Sequence, residues 1–157
     1  MTAVISSETL TEWILDGQEL AVLDAREQGV YFDSHLFHAG CIPLSSLELV
    51  MPGLVPRLST RIVWCDAGPD SDDPELATRA AAVATSLGYT NCHVLEDGTA
   101  GWAAHGGELY AGVHVPSKAF REYVEQTYDT PRMPADELKA LIDADAHKVI
   151  PDYRPMN

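Results

Sequence analysis

Arg61-Ile62-Val63-Trp64 is an apolar, β-branched run that stops at Cys65; a polar loop follows, and then an Ala-rich segment from Pro74 to Leu87. The pattern predicts a buried strand, a loop and a helix packed behind the strand. A strand apolar on both faces must be covered on both, which is the situation of a parallel sheet wrapped by helices. At the carboxyl end of such a strand the loop amides can turn inward, and the next helix adds about half a positive charge. A thiol held there can be a thiolate, the form that attacks sulfur or phosphorus. A free cysteine ending an apolar strand can equally be a small core residue. Both readings of Cys65 stand at this level.

The rest of the chain repeats the strand-and-helix rhythm. Ser6 and Ser7 precede Glu8 to Asp16, where Leu10, Trp13 and Ile14 share a helical face, and Gly17 supplies a stop. Leu20 to Leu23 reads as a short buried strand ending in Asp24-Ala25-Arg26. Acid and base two apart at a strand end point the same way, so Asp24 and Arg26 are expected to form a partly buried pair that fixes the neighbouring loops. Tyr31-Phe32 opens a connection, and His35 to Pro43 leads through a second short strand into a small helix around Ser45 to Val50. Cys92 to Leu95 is another strand, and Gly98 to Trp102 starts a short helix with Trp102 directed into the core. The expected fold class is therefore α/β, a mostly parallel central sheet with helices on both faces.

Composition sets the outer bounds. A chain of 157 residues, 46% apolar and 22% charged, suits one domain with its own core plus a remainder. A net charge of -14 argues against nucleic acid or an anionic membrane as partner. No apolar run approaches a membrane span and the amino terminus lacks a leader pattern, so a cytoplasmic location is expected. Cys41, Cys65 and Cys92 are odd in number and lack a Cys-x-x-Cys pair, which suits free thiols. His35, His38 and Cys41 are evenly spaced, but a fourth ligand is missing and the segment runs from loop into strand. No metal or other cofactor is expected, and His35 is expected to bond loop backbone.

Taken together, these residues resemble a known family. Asp24-x-Arg26, Ser34-His35-Leu36, Ala39-Gly40-Cys41-Ile42-Pro43-Leu44, Val63-Trp64-Cys65, Leu87-Gly88-Tyr89, Val94 to Gly98 and Gly101-Trp102 look like the rhodanese homology domain in order and spacing, over roughly residues 5 to 110. The resemblance implies a sulfurtransferase in which Cys65 takes a sulfane sulfur from thiosulfate or a persulfide and passes it to cyanide or a thiol. It implies that the backbone of Asp66, Ala67, Gly68, Asp70, Ser71, Asp72 and Asp73 cradles the anionic sulfur, with Asp24, Arg26 and His35 as structural neighbours.

The loop departs from the family pattern. Members that use thiosulfate well carry Arg or Lys after the cysteine, whereas Cys65-Asp-Ala-Gly-Pro-Asp-Ser-Asp-Asp-Pro-Glu75 contains no base and four aspartates. A unit charge about 8 Å away in an effective dielectric near 20 is worth about 2 kcal/mol, comparable to the helix dipole it opposes. These carboxylates are expected to raise the thiol pKa, unless they point outward; Asp73 ahead of Pro74 is expected to cap the following helix. Cysteine phosphatases place an arginine six residues after the nucleophile; position 71 is Ser, which argues against that chemistry.

The two ends of the chain resemble one another. Setting residue n against n+128 aligns Leu10 with Leu138, Ile14 with Ile142, Val22 with Ile150, Asp24 with Asp152 and Arg26 with Arg154. The expected organisation is a rhodanese-like domain over 1–112, a helical linker over 113–131 with its helix at Ser117 to Tyr128, and the truncated start of a second repeat over 132–157. Further rhodanese-like domains in a longer chain are then expected as partners. The alternative to catalysis at Cys65 is a non-catalytic rhodanese-like binding or regulatory domain of a multidomain protein.

Overall fold

The computed structural model describes residues 2–112, 115–128 and 133–144. The chain divides into two compact units, Met1–Lys118 and Ala119–Asn157. The first unit holds β1 (Ala3–Ile5), α1 (Ser7–Leu15), β2 (Leu20–Asp24), α2 (Gln28–Asp33), β3 (His35–Leu36), β4 (Ala39–Cys41), α3 (Leu47–Leu54), β5 (Arg61–Cys65), α4 (Leu76–Ser86), β6 (Cys92–Leu95), α5 (Gly98–Ala104) and β7 (Leu109–Tyr110). The division falls within α6 (Val115–Tyr128), and α7 (Ala135–Asp143) lies in the second unit.

The main sheet is five-stranded, in the order β1-β6-β5-β2-β4, and each of its pairings is parallel. A second, two-stranded antiparallel sheet joins β3 to β7. Alternation along β5 divides the core between the two faces of the sheet. Ile62 and Trp64 pack with Leu47, Met51 and the alanines of α4, while Val63 and Cys65 pack with Leu10, Val22, Leu36 and Leu95. The small side chains Ala77, Ala80, Ala81 and Ala84 let α4 lie close on the strand, where Trp64 fills the space between.

Most of the expected elements are found at their expected places. α1 begins one residue before Glu8, with the Ser6 hydroxyl accepting from the Thr9 amide. The Cys92–Leu95 strand and the helix over 117–128 are both present. β1, α2 and β7 were not foreseen: two are strands of two or three residues, and the six-residue helix carries no side-chain cap at its start. The strand expected before Arg154 lies outside the described residues. Among the described residues no helix is long and apolar enough to cross a membrane.

Candidate functional site

The carboxyl ends of β2 and β5 meet at one point, because Asp24 and Cys65 are register partners on adjacent strands. Ala25 N–H donates to the Cys65 carbonyl at 3.0 Å, so the two strands separate only after this point. Arg26 folds back over Asp24: Nη2 lies 2.6 Å from Oδ2, Nε 2.9 Å from Oδ1, and Nη2 also donates to the Ser34 carbonyl at 2.6 Å. The pair ties β2 to the turn after α2, as the sequence predicts. Both members are buried, so the bidentate geometry and the carbonyl acceptor are what make the arrangement tolerable. His35 is likewise buried, stacks on Tyr31 at 3.9 Å, and its Nδ1 bonds the Tyr31 carbonyl at 2.9 Å, the backbone role expected of it.

Cys65 occupies a different environment from the open, amide-lined one expected. Its exposure is 0%, and its side chain shares the core face of Val63, Val22 and Leu95. The reason is periodicity: as the last residue of β5 it takes the inward direction of Val63, two positions earlier. Burial, then the Asp24 carboxylate, push the thiol well above its ordinary value; Arg26 opposes them and Asp66 adds to them. The carboxylates that act on it are thus Asp24, from the neighbouring strand, and Asp66, rather than the loop aspartates as a group.

The loop that follows binds itself. Asp66 Oδ1 accepts the Gly68 amide at 2.9 Å and Oδ2 accepts the Ala77 amide at 3.0 Å, while the Ser71 amide and hydroxyl both go to the Gly68 carbonyl. Two amides of the expected cradle are therefore already engaged within the loop. Asp66, not Asp73, caps α4, and a residue eleven positions from the amide it serves leaves no local spacing signal. Asp73 instead pairs with Arg79 at 2.7 Å on the surface, and its carbonyl accepts the Leu76 amide. The Asp66 carboxyl is itself raised above its ordinary value, chiefly by burial and against the pull of its two amides.

Gly68 and Gly98 lock this loop to the one before α5. The Thr99 amide donates to the Asp66 carbonyl at 2.8 Å. Gly68 has φ +105°, and a Cβ there would lie 2.5 Å from the Asp97 carbonyl oxygen. Beside this lock a cavity of about 530 Å³ opens, lined by Arg26, Ala67, Ser71, Asp72, Asp73 and Arg79 among others. Cys65 and Asp70 are not on its wall, and Asp70 is exposed. His38 and Cys41, spaced with His35 in the sequence, go separate ways: His38 sits edge-on to Phe37, and Cys41 Sγ contacts the Arg26 carbonyl at 3.6 Å.

A parallel α/β sheet with a cysteine ending its middle strand, and an Asp-x-Arg pair beside it, defines the class of domain. The chain belongs to the rhodanese-like domain family, whose model matches residues 6–105. A crystal structure of thiosulfate sulfurtransferase from Pseudomonas aeruginosa is 41% identical over 92% of this chain, with a TM-score of 0.83; this chain covers 26% of that one. The BH2092 protein from Bacillus halodurans is 25% identical, covering 71% of this chain and 79% of that one at a TM-score of 0.58. SseA from Escherichia coli, a 3-mercaptopyruvate sulfotransferase, shares the fold at 21% identity and a TM-score of 0.55, covering 71% of this chain and 52% of that one. A search of curated proteins gave no match. At the level of the family, the chemistry is sulfur transfer.

Proposed function

We propose that this chain is a rhodanese-like unit of a larger thiosulfate-type sulfurtransferase, and that the unit is non-catalytic, binding or regulating sister units that carry the sulfur. The observation that supports this most is the burial of Cys65, at 0% exposure, with its side chain in the core face shared by Val63, Val22 and Leu95. Persulfide formation needs a thiolate with a clear line to the donor's outer sulfur. Here the thiol stays protonated at neutral pH, and Arg26, the cation beside it, is already paired with Asp24. A dianion such as thiosulfate would also meet the carboxylates of a chain with net charge -14.

A second reading has one observation in its favour. The cavity beside the site touches Ala67 and Ser71, so a displacement of this loop would connect Cys65 to it and permit a Cys65 persulfide to form and pass its sulfur to cyanide or a thiol. Sulfur-transfer assays with thiosulfate and, separately, glutathione persulfide as donor, on this chain and on Cys65→Ala, separate the two. Equal background rates support the non-catalytic unit; a rate abolished by Cys65→Ala supports the persulfide carrier.

The tandem organisation is part of the same proposal. α1 and α7 are both nine residues long, and adding 128 to the bounds of α1 gives those of α7. In α1, Leu10 is fully buried, whereas no residue of α7 is buried and Ile142 is 50% exposed. A helix with the apolar spacing of Leu138, Leu141 and Ile142 is stabilised by a sheet to pack on, which a second repeat would supply.

A further inference from the structure

A second pocket of about 250 Å³ lies between α1 and the β3–β7 pair and shares no lining residue with the cavity beside the Cys65 loop. Phe37, Trp102 and Tyr110 line it over a floor of Leu36 and Val22, and Glu108 and His38 stand at its rim. Phe37 and Tyr110 are held edge to face at 5.1 Å. The Trp102 indole N–H donates to the Glu108 carbonyl at 3.2 Å, and the Tyr110 hydroxyl to Glu108 Oε2 at 2.7 Å, so the aromatic groups and the carboxylate are mutually positioned. No lysine or arginine lines the pocket, and Glu108 has no ion pair among the described residues.

We propose that this pocket binds an alkylammonium head group. Phe37, Trp102 and Tyr110 beside an apolar floor suit a cation, since aromatic rings attract its charge and the floor accepts its methyl or methylene groups, and a carboxylate at the rim adds a charge contact. An anion would meet Glu108, and the -14 net charge attracts cations to the surface as a whole. The molecule already uses the same interaction elsewhere, with the Arg61 guanidinium 4.4 Å from the centroid of the Trp13 ring. The head group could come from a free quaternary amine or from a lysine side chain of a protein, and the chemistry of recognition is shared.

The test uses the full 157-residue chain at constant ionic strength, following the Trp102 indole N–H resonance, identified by its loss in Trp102→Phe. Choline, its uncharged carbon isostere dimethylbutanol, and Nα-acetyl-lysine methylamide are titrated in turn. A saturable shift with choline or the lysine derivative, about tenfold tighter than with the isostere, is expected. Glu108→Gln should weaken that binding about threefold and Tyr110→Leu about tenfold. Tighter binding of choline assigns the site to free amines, and of the lysine derivative to a protein side chain. No saturable shift, or equal binding of the uncharged isostere, overturns the proposal without recourse to either variant.

Discussion

Cys65 shows how far a single residue can be read from its neighbours. The sequence places it correctly at the end of a buried strand, and the two readings it allowed, nucleophile or core residue, differ only in which way the side chain turns. That direction depends on the period of two through Val63 and on Asp24 arriving opposite it in register, and register is a tertiary property. The thiol also makes a prediction about pH. A pKa raised in the folded state above its ordinary 9.0 means that the folded form keeps its proton where the unfolded form has lost it. Stability is then fully present below pH 9 and falls as pH rises beyond it. Cys41, pushed up to about 11 by burial and the charges of Asp24 and Glu27, acts in the same sense. Urea unfolding from neutral to alkaline pH should show a declining midpoint, and Cys65→Ala should flatten the decline; an unchanged slope in the variant would place the thiol in contact with water.

At the scale of elements, strands of four residues or more and helices of seven or more follow from apolar spacing, while the cap of α4 does not. Asp73-Pro74-Glu75 has the local form of a helix start, yet the cap comes from Asp66, whose carboxylate reaches Ala77 across the loop. Asp66→Ala should therefore cost about 1–3 kcal/mol, since it leaves two amides without their acceptor. Asp73→Ala removes a solvent-exposed pair with Arg79 and should cost less than about 1 kcal/mol. Denaturant curves for the two variants decide between them, and the reverse order would restore the cap to Asp73. The same loop contains Gly68, whose positive φ and 2.5 Å clearance to the Asp97 carbonyl leave no room for a Cβ. Gly68→Ala should destabilise by more than the ~1 kcal/mol of the backbone conformation alone, because the neighbour it meets is main chain. A loss at or below that figure in thermal unfolding would mean that the two loops can part easily.

For the whole molecule, the fold and the family were legible because many weak signals agree in order and spacing: Asp24-x-Arg26, the Cys65 strand end and Gly101-Trp102 are each common, and together are not. What the sequence left open was the state of the site, since the electrostatics of a thiol depend on burial and on Asp24, which lies far from it in the chain. An intact sheet, an Asp24–Arg26 clamp and a cavity without a thiol on its wall suit a unit that retains the architecture of sulfur transfer and leaves the sulfur to another unit. Mass spectrometry of the folded chain after exposure to thiosulfate, and separately to glutathione persulfide, is the most direct test of that division. Cys65 is expected to remain an unmodified thiol in both, becoming reactive only when the chain is unfolded. A stoichiometric gain of one sulfur at Cys65 in the folded protein, removed by cyanide, would contradict it.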